Sequence, residues 1–343
     1  MKLGIIGLPG SGKATIFEAL TQNVAAGPKG ETRIGTVRVP DKRLDVLNEM
    51  HKREKLIYAQ VEYLLPGMPE HKRERGTDQL IWTQVRDCDA LIHTIRNFKV
   101  YGFEDPKPYA DFHELDQELI LADLVVIEKR LERLELDKKR GKKTDAEEIS
   151  LLNDCLKNLE NEIPLRKFSD LASAQNLRGY AFLSAKPMLV LFNNEDDDDT
   201  LPEVEEVTSR ENCLIIRGKL EQELAQMSEQ EASEFLTEFN ITASAMDRVI
   251  KRSYELLGLI AFFTIGDKEV RAWTVKQGTC AIDAAEVIHT DMKKGFIRAE
   301  VLSYEDLMSA GSYQAARKKG TVRLEGKTYQ INDGDIVYIR FNV

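Results

Sequence analysis

A glycine-rich segment near the N-terminus has the residues of a phosphate-binding loop. Residues 7–13 are Gly-Leu-Pro-Gly-Ser-Gly-Lys, between an apolar run at 3–6 and a segment with helical spacing at 14–20. Glycines let backbone N–H groups approach a phosphate chain, while Lys13 and the start of a helix supply positive charge. The alternative is a plain turn between a strand and a helix. The segment predicts a nucleotide site formed by Pro9, Gly10, Ser11, Gly12, Lys13, Ala14 and Thr15.

The residue after the loop lysine departs from the usual pattern. Ala14 occupies the position whose Ser or Thr hydroxyl commonly ligates Mg²⁺. Because Mg²⁺ keeps several waters in most protein sites, it can still be held weakly through water and phosphate oxygens. We therefore expect ATP or GTP as the cofactor, and Ala14 argues against hydrolysis more strongly than against binding.

The elements that must position this loop form an α/β pattern. Continuously apolar runs predict strands that are covered on both faces, with helices between them. These runs lie at 2–6, 57–65, 90–95, 188–192 and 214–216. The pattern predicts an α/β domain that contains the P-loop, in which a mostly parallel, doubly wound sheet binds its ligand at the carboxyl ends of the strands. The expected bounds are 1–112 plus 166–258, with a helix over 230–257.

Two apolar stripes with heptad spacing interrupt that domain. They consist of Ile120, Leu124, Ile127, Leu131 and Leu134, and of Ile149, Leu152, Leu156, Leu159 and Ile163. The stripes predict an antiparallel coiled-coil arm over 113–165. Its tip is basic on an otherwise acidic protein, which suits contact with nucleic-acid phosphates, although a short charge run is often only a solvated turn. The tip residues are Lys138, Lys139, Arg140, Lys142 and Lys143.

Composition limits the remaining choices. A chain of 343 residues is long enough for two or three domains. Its net charge of -10 disfavours non-specific polyanion binding, so a nucleic-acid contact requires a local basic patch. The four cysteines show no C-x-x-C spacing, which favours buried thiols over disulfides or zinc. The apolar runs fall short of the ~18 residues that span a bilayer, and the early loop leaves no room for a signal peptide, so we expect a soluble, cytoplasmic protein.

The C-terminal part has a different character, and it carries a family resemblance. From residue 259 onward β-rich runs alternate with turn signals, which predicts a separate α+β domain over 259–343. Residues 263–274 are Phe-Thr-Ile-Gly-Asp-Lys-Glu-Val-Arg-Ala-Trp-Thr, and 284–291 are Ala-Ala-Glu-Val-Ile-His-Thr-Asp. With Pro-Asp-Lys-Arg-Leu at 40–44, these segments resemble the YchF-type Obg-like ATPases, a branch of the P-loop GTPases. The resemblance implies a G domain, a coiled-coil arm, a TGS domain of ubiquitin-like β-grasp fold, a preference for ATP over GTP, and ribosome association.

Departures from the family pattern concentrate at the nucleotide site. Residues 64–67 are Leu-Leu-Pro-Gly where the family has Asp-x-x-Gly, whose carboxylate serves the metal. Residues 69–75 replace the glycine-rich switch II of the family. They include His71, and a lone histidine among lysines and arginines is more often a solvated surface residue than a catalytic one. In switch I, Thr32 is the nearest candidate for the usual threonine. Loss of both metal-holding groups removes most of what phosphoryl transfer requires.

Alignment with the family also suggests where the base is recognised. The sequence Asn-Asn-Glu-Asp at 193–196 falls on the family's Asn-x-x-Glu motif, so Asn193 and Asp196 are the expected base contacts. A carboxylate at the fourth position can accept two N–H donors of guanine, whereas the family's Glu accompanies adenine. A slip by one residue would present Glu195 instead. Lys219, which ends an Arg-Gly-Lys segment, is expected to lie over the base through its aliphatic stem.

Three functional hypotheses follow. The preferred one is a divergent family member that binds a purine nucleotide and docks on the ribosome or other RNA through its arm and TGS domain, with weak or absent hydrolysis. The second is an active ATPase or GTPase whose Mg²⁺ is held by water and phosphate. The third is a ribosome or RNA adaptor with a vestigial nucleotide site. No catalytic residue and no protein ligand to a metal is assigned.

Overall fold

The strands of the chain belong to two separate sheets, each in its own α/β unit. The computed structural model describes residues 1–22, 30–67, 77–102, 104–238 and 244–342. Unit 1 comprises Met1–Thr36 and Glu62–Val249, and unit 2 comprises Val37–Val61 and Ile250–Val343. Each unit contains a six-stranded sheet, and the expected α/β fold class is confirmed.

Strands and helices are numbered in chain order. The strands are β1 Lys2–Ile6, β2 Arg33–Arg38, β3 Lys55–Ile57, β4 Gln60–Leu65, β5 Ala90–Asn97, β6 Met188–Asn194, β7 Asn212–Ile216, β8 Leu259–Ile265, β9 Glu269–Lys276, β10 Phe296–Ser303, β11 Arg323–Glu325 and β12 Asp335–Phe341. The helices are α1 Lys13–Thr21, α2 Lys42–His51, α3 Thr77–Val85, α4 Pro108–Lys139, α5 Ala146–Glu160, α6 Ser169–Ser173, α7 Glu205–Thr208, α8 Gly218–Leu224, α9 Glu229–Glu238, α10 Ala245–Leu256, α11 Ala281–Ile288, α12 Thr290–Lys294, α13 Tyr304–Ala310 and α14 Tyr313–Lys319.

The first sheet carries the phosphate loop at the end of a central strand. Its order is β2-β4-β1-β5-β6-β7, and β1 pairs in parallel with both β4 and β5. Parallel pairing continues from β5 to β6 and from β6 to β7. Every residue of β6 is buried, as its continuous apolar run predicted. The carboxyl ends of β1, β5 and β6 therefore lie along one edge, where a ligand of such a sheet binds.

Two predicted elements differ from the structure. The strand expected over 57–65 is divided into β3, which pairs with β9, and β4, which pairs with β1. The helix expected over 230–257 is described as α9 and α10, and residues 239–243 lie outside the described part. An apolar run predicts where a strand lies in the sequence, but it does not predict which sheet the strand joins.

Two long helices occupy the segment of the predicted arm. α4 and α5 share an apolar cluster with residues of both heptad stripes, among them Ile120, Ile127, Leu134, Leu152 and Leu159. Arg130 on α4 pairs with Glu148 on α5 at 2.8 Å. Ile163 falls beyond the end of α5 and is 39% exposed, so the second stripe ends at Leu159. Packing of an amphipathic face is what stabilises helices of this kind.

Unit 2 is built on the second sheet, in the order β11-β10-β12-β8-β9-β3. Its core contains Phe262, Val301 and Val337, packed with alanines of α11. The expected bounds of 259–343 omit Val37–Val61, which belongs to this unit because β3 pairs with β9 and because Arg43 donates to Asp333 at 2.7 Å. Among the described residues, no helix combines the length and the apolar character needed to cross a bilayer.

Candidate nucleotide-binding site

The loop between β1 and α1 has a backbone that glycine makes accessible. Gly10 and Gly12 have φ angles of 80° and 90°, in the left-handed region that glycine enters without steric cost. The N–H of Ser11 donates to the carbonyl of Leu8 at 3.2 Å, and the N–H of Ile16 donates to Gly12 at 3.0 Å, which begins the helix. The first N–H groups of a helix lack intrahelical partners and attract anions. The predicted phosphate loop therefore has a suitable local geometry.

Lys13 lies at the start of α1 and folds over the loop. Its Nζ donates to the carbonyl of Gly7 at 2.6 Å and to that of Leu8 at 2.8 Å. Burial lowers the pKa of Lys13 to about 8, because the ammonium loses hydration. The hydroxyl of Ser11 is buried and has no hydrogen-bond partner among the described residues. A phosphate would give the Ser11 hydroxyl an acceptor and the Lys13 ammonium an opposite charge, so the loop fits this ligand.

Asn193 joins the loop to the expected base-recognition segment. Its side chain is buried, donates from Nδ2 to the carbonyl of Ser11 at 3.1 Å, and accepts at Oδ1 from the N–H of Gly218 at 2.9 Å. A Cβ added at Gly12 would lie 2.3 Å from Nδ2, which is too close for two non-bonded atoms. Glycine at position 12 is therefore required both by its φ angle and by the approach of Asn193.

The two carboxylates after β6 have different partners. Asp196 is exposed, and its Oδ1 accepts from the N–H of Leu220 on α8 at 3.3 Å. Glu195 instead accepts from the N–H of Lys99 at 2.6 Å. The neighbouring Lys219 is exposed. The structure thus brings Asn193, Asp196 and Lys219 to the same end of the sheet as the loop.

An open cleft of about 430 Å³ lies against the first turn of α1. It is lined by Lys13, Ala14, Thr15, Glu18, Gly30, Glu31, Arg33, Leu65, Pro66 and Gly67. The two positions that usually serve Mg²⁺ supply no oxygen here, since Ala14 is apolar and Leu64 is a core residue with 4% exposure. Among the described residues, no group of three or more metal-ligating side chains is present. The residues at these two positions therefore do not fit a metal ion held in the way that is usual for P-loop proteins.

Gln84 connects the two segments that border the cleft. Its Oε1 accepts from the hydroxyl of Thr32 at 2.7 Å and from the N–H of Gly67 at 2.9 Å. A Cβ at Gly67 would lie 2.6 Å from the backbone of Glu31, so the two segments pack backbone to backbone. Thr32, the expected switch I threonine, thus has its hydroxyl engaged by a residue that sequence reasoning did not identify. The 69–75 segment, with His71, lies outside the described residues.

The basic tip spans the last residues of α4 and the connection to α5. All five predicted residues are exposed: Lys138, Lys139, Arg140, Lys142 and Lys143. Two of them pair with carboxylates of α4, Lys142 with Asp137 at 2.7 Å and Lys139 with Glu135 at 3.2 Å. Such exposed pairs contribute little stability, so they compete weakly with an external phosphate.

Comparisons with known proteins identify the family. Residues 259–342 match the family model YchF-GTPase_C, described as a protein of unknown function (DUF933). The ribosome-binding ATPase YchF of Bacillus subtilis is 35% identical over 99% of both chains, and that of Haemophilus influenzae is 37% identical over 100% of this chain and 99% of its own. The solved structure of the Schizosaccharomyces pombe YchF GTPase has a TM-score of 0.85 at 28% identity, covering 99% of this chain and 97% of the other. The chain therefore belongs to the YchF family.

Proposed function

We propose that this chain binds a purine nucleotide, ATP or GTP, and associates with the ribosome, with nucleotide acting as an ordering ligand more than as fuel. The observation that carries the proposal is the geometry of the phosphate loop. Gly10 and Gly12 adopt left-handed angles, Lys13 closes over the loop, and the Ser11 hydroxyl is buried without a partner. These features favour a bound phosphate chain.

Hydrolysis is proposed to be weak or absent. In P-loop enzymes the metal bridges the β- and γ-phosphates and neutralises the charge that develops during transfer. Ala14 and Leu64 supply no oxygen for that metal, and Leu64 is buried. A lysine and a well-placed nucleotide supply proximity and charge, but not an oriented water.

Base recognition is assigned to the segment after β6. Asn193 orients the loop relative to α8, Asp196 lies beside the start of that helix, and Lys219 is exposed next to it. We propose that Asp196 accepts N–H donors of the base and that Lys219 covers the base with its aliphatic stem.

Ribosome association is proposed from the names of the relatives together with the charge of the arm. The B. subtilis and H. influenzae relatives are named ribosome-binding ATPases. The exposed cations of residues 138–143 would contact RNA phosphates, and the domain over 259–343 is proposed to be a TGS domain that shares the docking. We likewise propose a G domain within the bounds 1–112 plus 166–258 and a coiled-coil arm over 113–165; of the first range, Val37–Val61 packs within unit 2.

A nucleotide titration tests the first part of the proposal. The full chain is titrated with ATP, GTP and ADP, with and without Mg²⁺, and phosphate release is followed in parallel. Tight binding with little release is expected, and Lys13→Ala should abolish the binding. Metal-dependent turnover lost in Lys13→Ala would instead indicate an active ATPase or GTPase. Absent nucleotide binding with intact ribosome binding would indicate an adaptor with a vestigial site.

Ribosome association is tested by co-sedimentation over a series of salt concentrations. Reversing the charge of Lys138, Lys139, Arg140, Lys142 and Lys143 should weaken association and flatten its salt dependence, because fewer counterions are released. A variant that reverses five exposed cations outside the arm and outside 259–343 serves as a charge-matched control; these are Lys42, Lys99, Arg178, Lys251 and Arg252. Unchanged association of the tip variant would mean that the tip is only a solvated turn.

A further inference from the structure

The cleft beside Ala14 contains a guanidinium group. Arg33 on β2 lines this cleft together with Lys13 and Ala14, although its side chain is only 11% exposed. Arginine is almost never fully buried without a partner, so a largely buried guanidinium here must be held by neighbouring groups. Its neighbours show how it is held there.

Arg33 is fixed to the helix that begins at the phosphate loop. Its Nη1 lies 3.0 Å from Oε1 of Glu18, and its guanidinium carbon lies 5.1 Å from the centroid of the Phe17 ring. Both Phe17 and Glu18 belong to α1. A Cβ at Gly35, two residues further along β2, would lie 2.2 Å from the Thr21 side chain, so the strand lies directly against α1. The position of Arg33 relative to the loop is therefore set by packing.

The ion pair with Glu18 leaves donors available for a second anion. A guanidinium carries five N–H groups, and the contact with Glu18 uses Nη1. Oε2 of Glu18 accepts from Nε2 of Gln222 at 2.7 Å, so the carboxylate is itself held in place. Glu18 thus orients Arg33, and both of its oxygens are engaged, which makes it a poor metal ligand.

We infer that Arg33, together with Lys13, takes the place of Mg²⁺, and that this chain binds purine nucleoside triphosphates without a metal ion. The inference deepens the proposed function and rests on it. Arginine pairs with phosphate through two parallel N–H···O bonds and keeps its charge at all working pH values. It can therefore neutralise the β- and γ-phosphates, which is the task of the metal in other P-loop proteins. Unlike a metal, it brings no bound water that could be activated, in keeping with weak hydrolysis.

The test is a binding titration of the full chain with fluorescent ATP and GTP analogues, in excess EDTA and in excess Mg²⁺. The wild-type dissociation constants in the two buffers should differ by less than about tenfold. In EDTA, Arg33→Met should weaken triphosphate binding by about tenfold or more, the loss expected for a charge-assisted bidentate contact. The affinity of Arg33→Lys for triphosphates in EDTA should lie between those of the wild type and of Arg33→Met, because lysine keeps the charge but cannot make the bidentate contact. Monophosphate binding should change little, because Lys13 and the adjoining cleft face the β- and γ-phosphates.

Arg38→Met is the matched control, since Arg38 lies on the same strand, is exposed, and does not line the cleft. Wild-type binding that requires Mg²⁺, or an Arg33→Met variant that binds like wild type, would overturn the inference and leave the nucleotide function standing. Absent binding in both buffers would overturn both.

Glu18→Gln keeps the inference testable if Arg33→Met fails to fold. This variant keeps a side-chain oxygen that can accept from Nη1 of Arg33 but removes the negative charge beside the guanidinium, so triphosphate binding in EDTA should become tighter. Unchanged or weaker binding would count against the role of Arg33.

Discussion

Replacing Gly12 by alanine should destabilise unit 1 by an amount that can be divided into two causes. Gly12 has a φ of 90°, and a non-glycine residue in the left-handed region costs about 1–2 kcal/mol. The new Cβ would also lie 2.3 Å from Nδ2 of Asn193, so the amide must move. Asn193 then loses its bonds to Ser11 and Gly218, at about 1 kcal/mol each.

Gly141 provides the matched control for the first cause. Its φ is 75°, and a Cβ there would meet no atom within 4 Å. Gly141→Ala therefore tests the backbone strain alone, reduced by about 0.4–1 kcal/mol because alanine restricts the unfolded chain. The expected losses are about 1 kcal/mol for Gly141→Ala and about 3 kcal/mol for Gly12→Ala. The difference of about 2 kcal/mol measures the displacement of Asn193.

Tryptophan fluorescence can report on unit 1 by itself. The chain has two tryptophans, of which Trp82 lies in the core cluster of the first sheet and Trp273 lies on β9 in unit 2. In a Trp273→Phe background, urea unfolding followed at Trp82 gives the free energy of unfolding of unit 1. This separation is useful because a chain of two units need not unfold in one step. Equal losses for Gly12→Ala and Gly141→Ala, within about 0.5 kcal/mol, would refute the placement of Asn193 against the loop.

Two further outcomes follow from the same site. Because burial lowers the pKa of Lys13 to about 8, the unfolded chain binds more protons than the folded chain between pH 8 and about 10.4. The free energy of unfolding should therefore rise with pH across that window, while nucleotide affinity falls. Calorimetric titration of the wild-type chain in two buffers at pH 8.5 should show proton uptake on binding, and this uptake should disappear at about pH 6.5, where Lys13 is already protonated. Gln84→Leu removes the side-chain oxygen that accepts from the Thr32 hydroxyl and from the Gly67 N–H. Hydrogen exchange at the Gly67 amide should therefore accelerate about five- to tenfold, the effect of losing about 1 kcal/mol of hydrogen bonding. An unchanged exchange rate would show that Gln84 does not hold these two segments together.

The phosphate loop could be predicted from the sequence because its signal is local. Contiguous residues at 7–13 follow a strand and precede a helix, and the structure places β1 over Lys2–Ile6 and α1 over Lys13–Thr21. The strands after it were also recognisable, since β5 and β6 are long apolar runs. In each case the residues that determine the element lie within the element itself.

The division of the chain into units depends on contacts between distant residues, and it could not be predicted in this way. Nothing in the sequence of 55–65 shows that Ile57 pairs with Arg271 in one sheet while Leu64 pairs with Gly4 in the other. Both segments contain apolar residues suitable for strands. Pairing partners are chosen by packing against the rest of the fold, which overrides local preference.

Arg33 shows why the chemistry of the site was harder to predict than its location. Ala14 and Leu64 marked the loss of metal ligands within recognisable motifs, so the sequence showed what was missing. It did not show the cation that we propose in its place, because Arg33 reaches the cleft only through the position of β2 against α1 and through its bond to Glu18 at 3.0 Å. In the sequence, an arginine outside every recognised motif resembles any solvated surface cation. A substitution at a motif can therefore be compensated by a residue outside every motif, and only the three-dimensional arrangement of charges distinguishes a degenerate site from one that neutralises its ligand in another way.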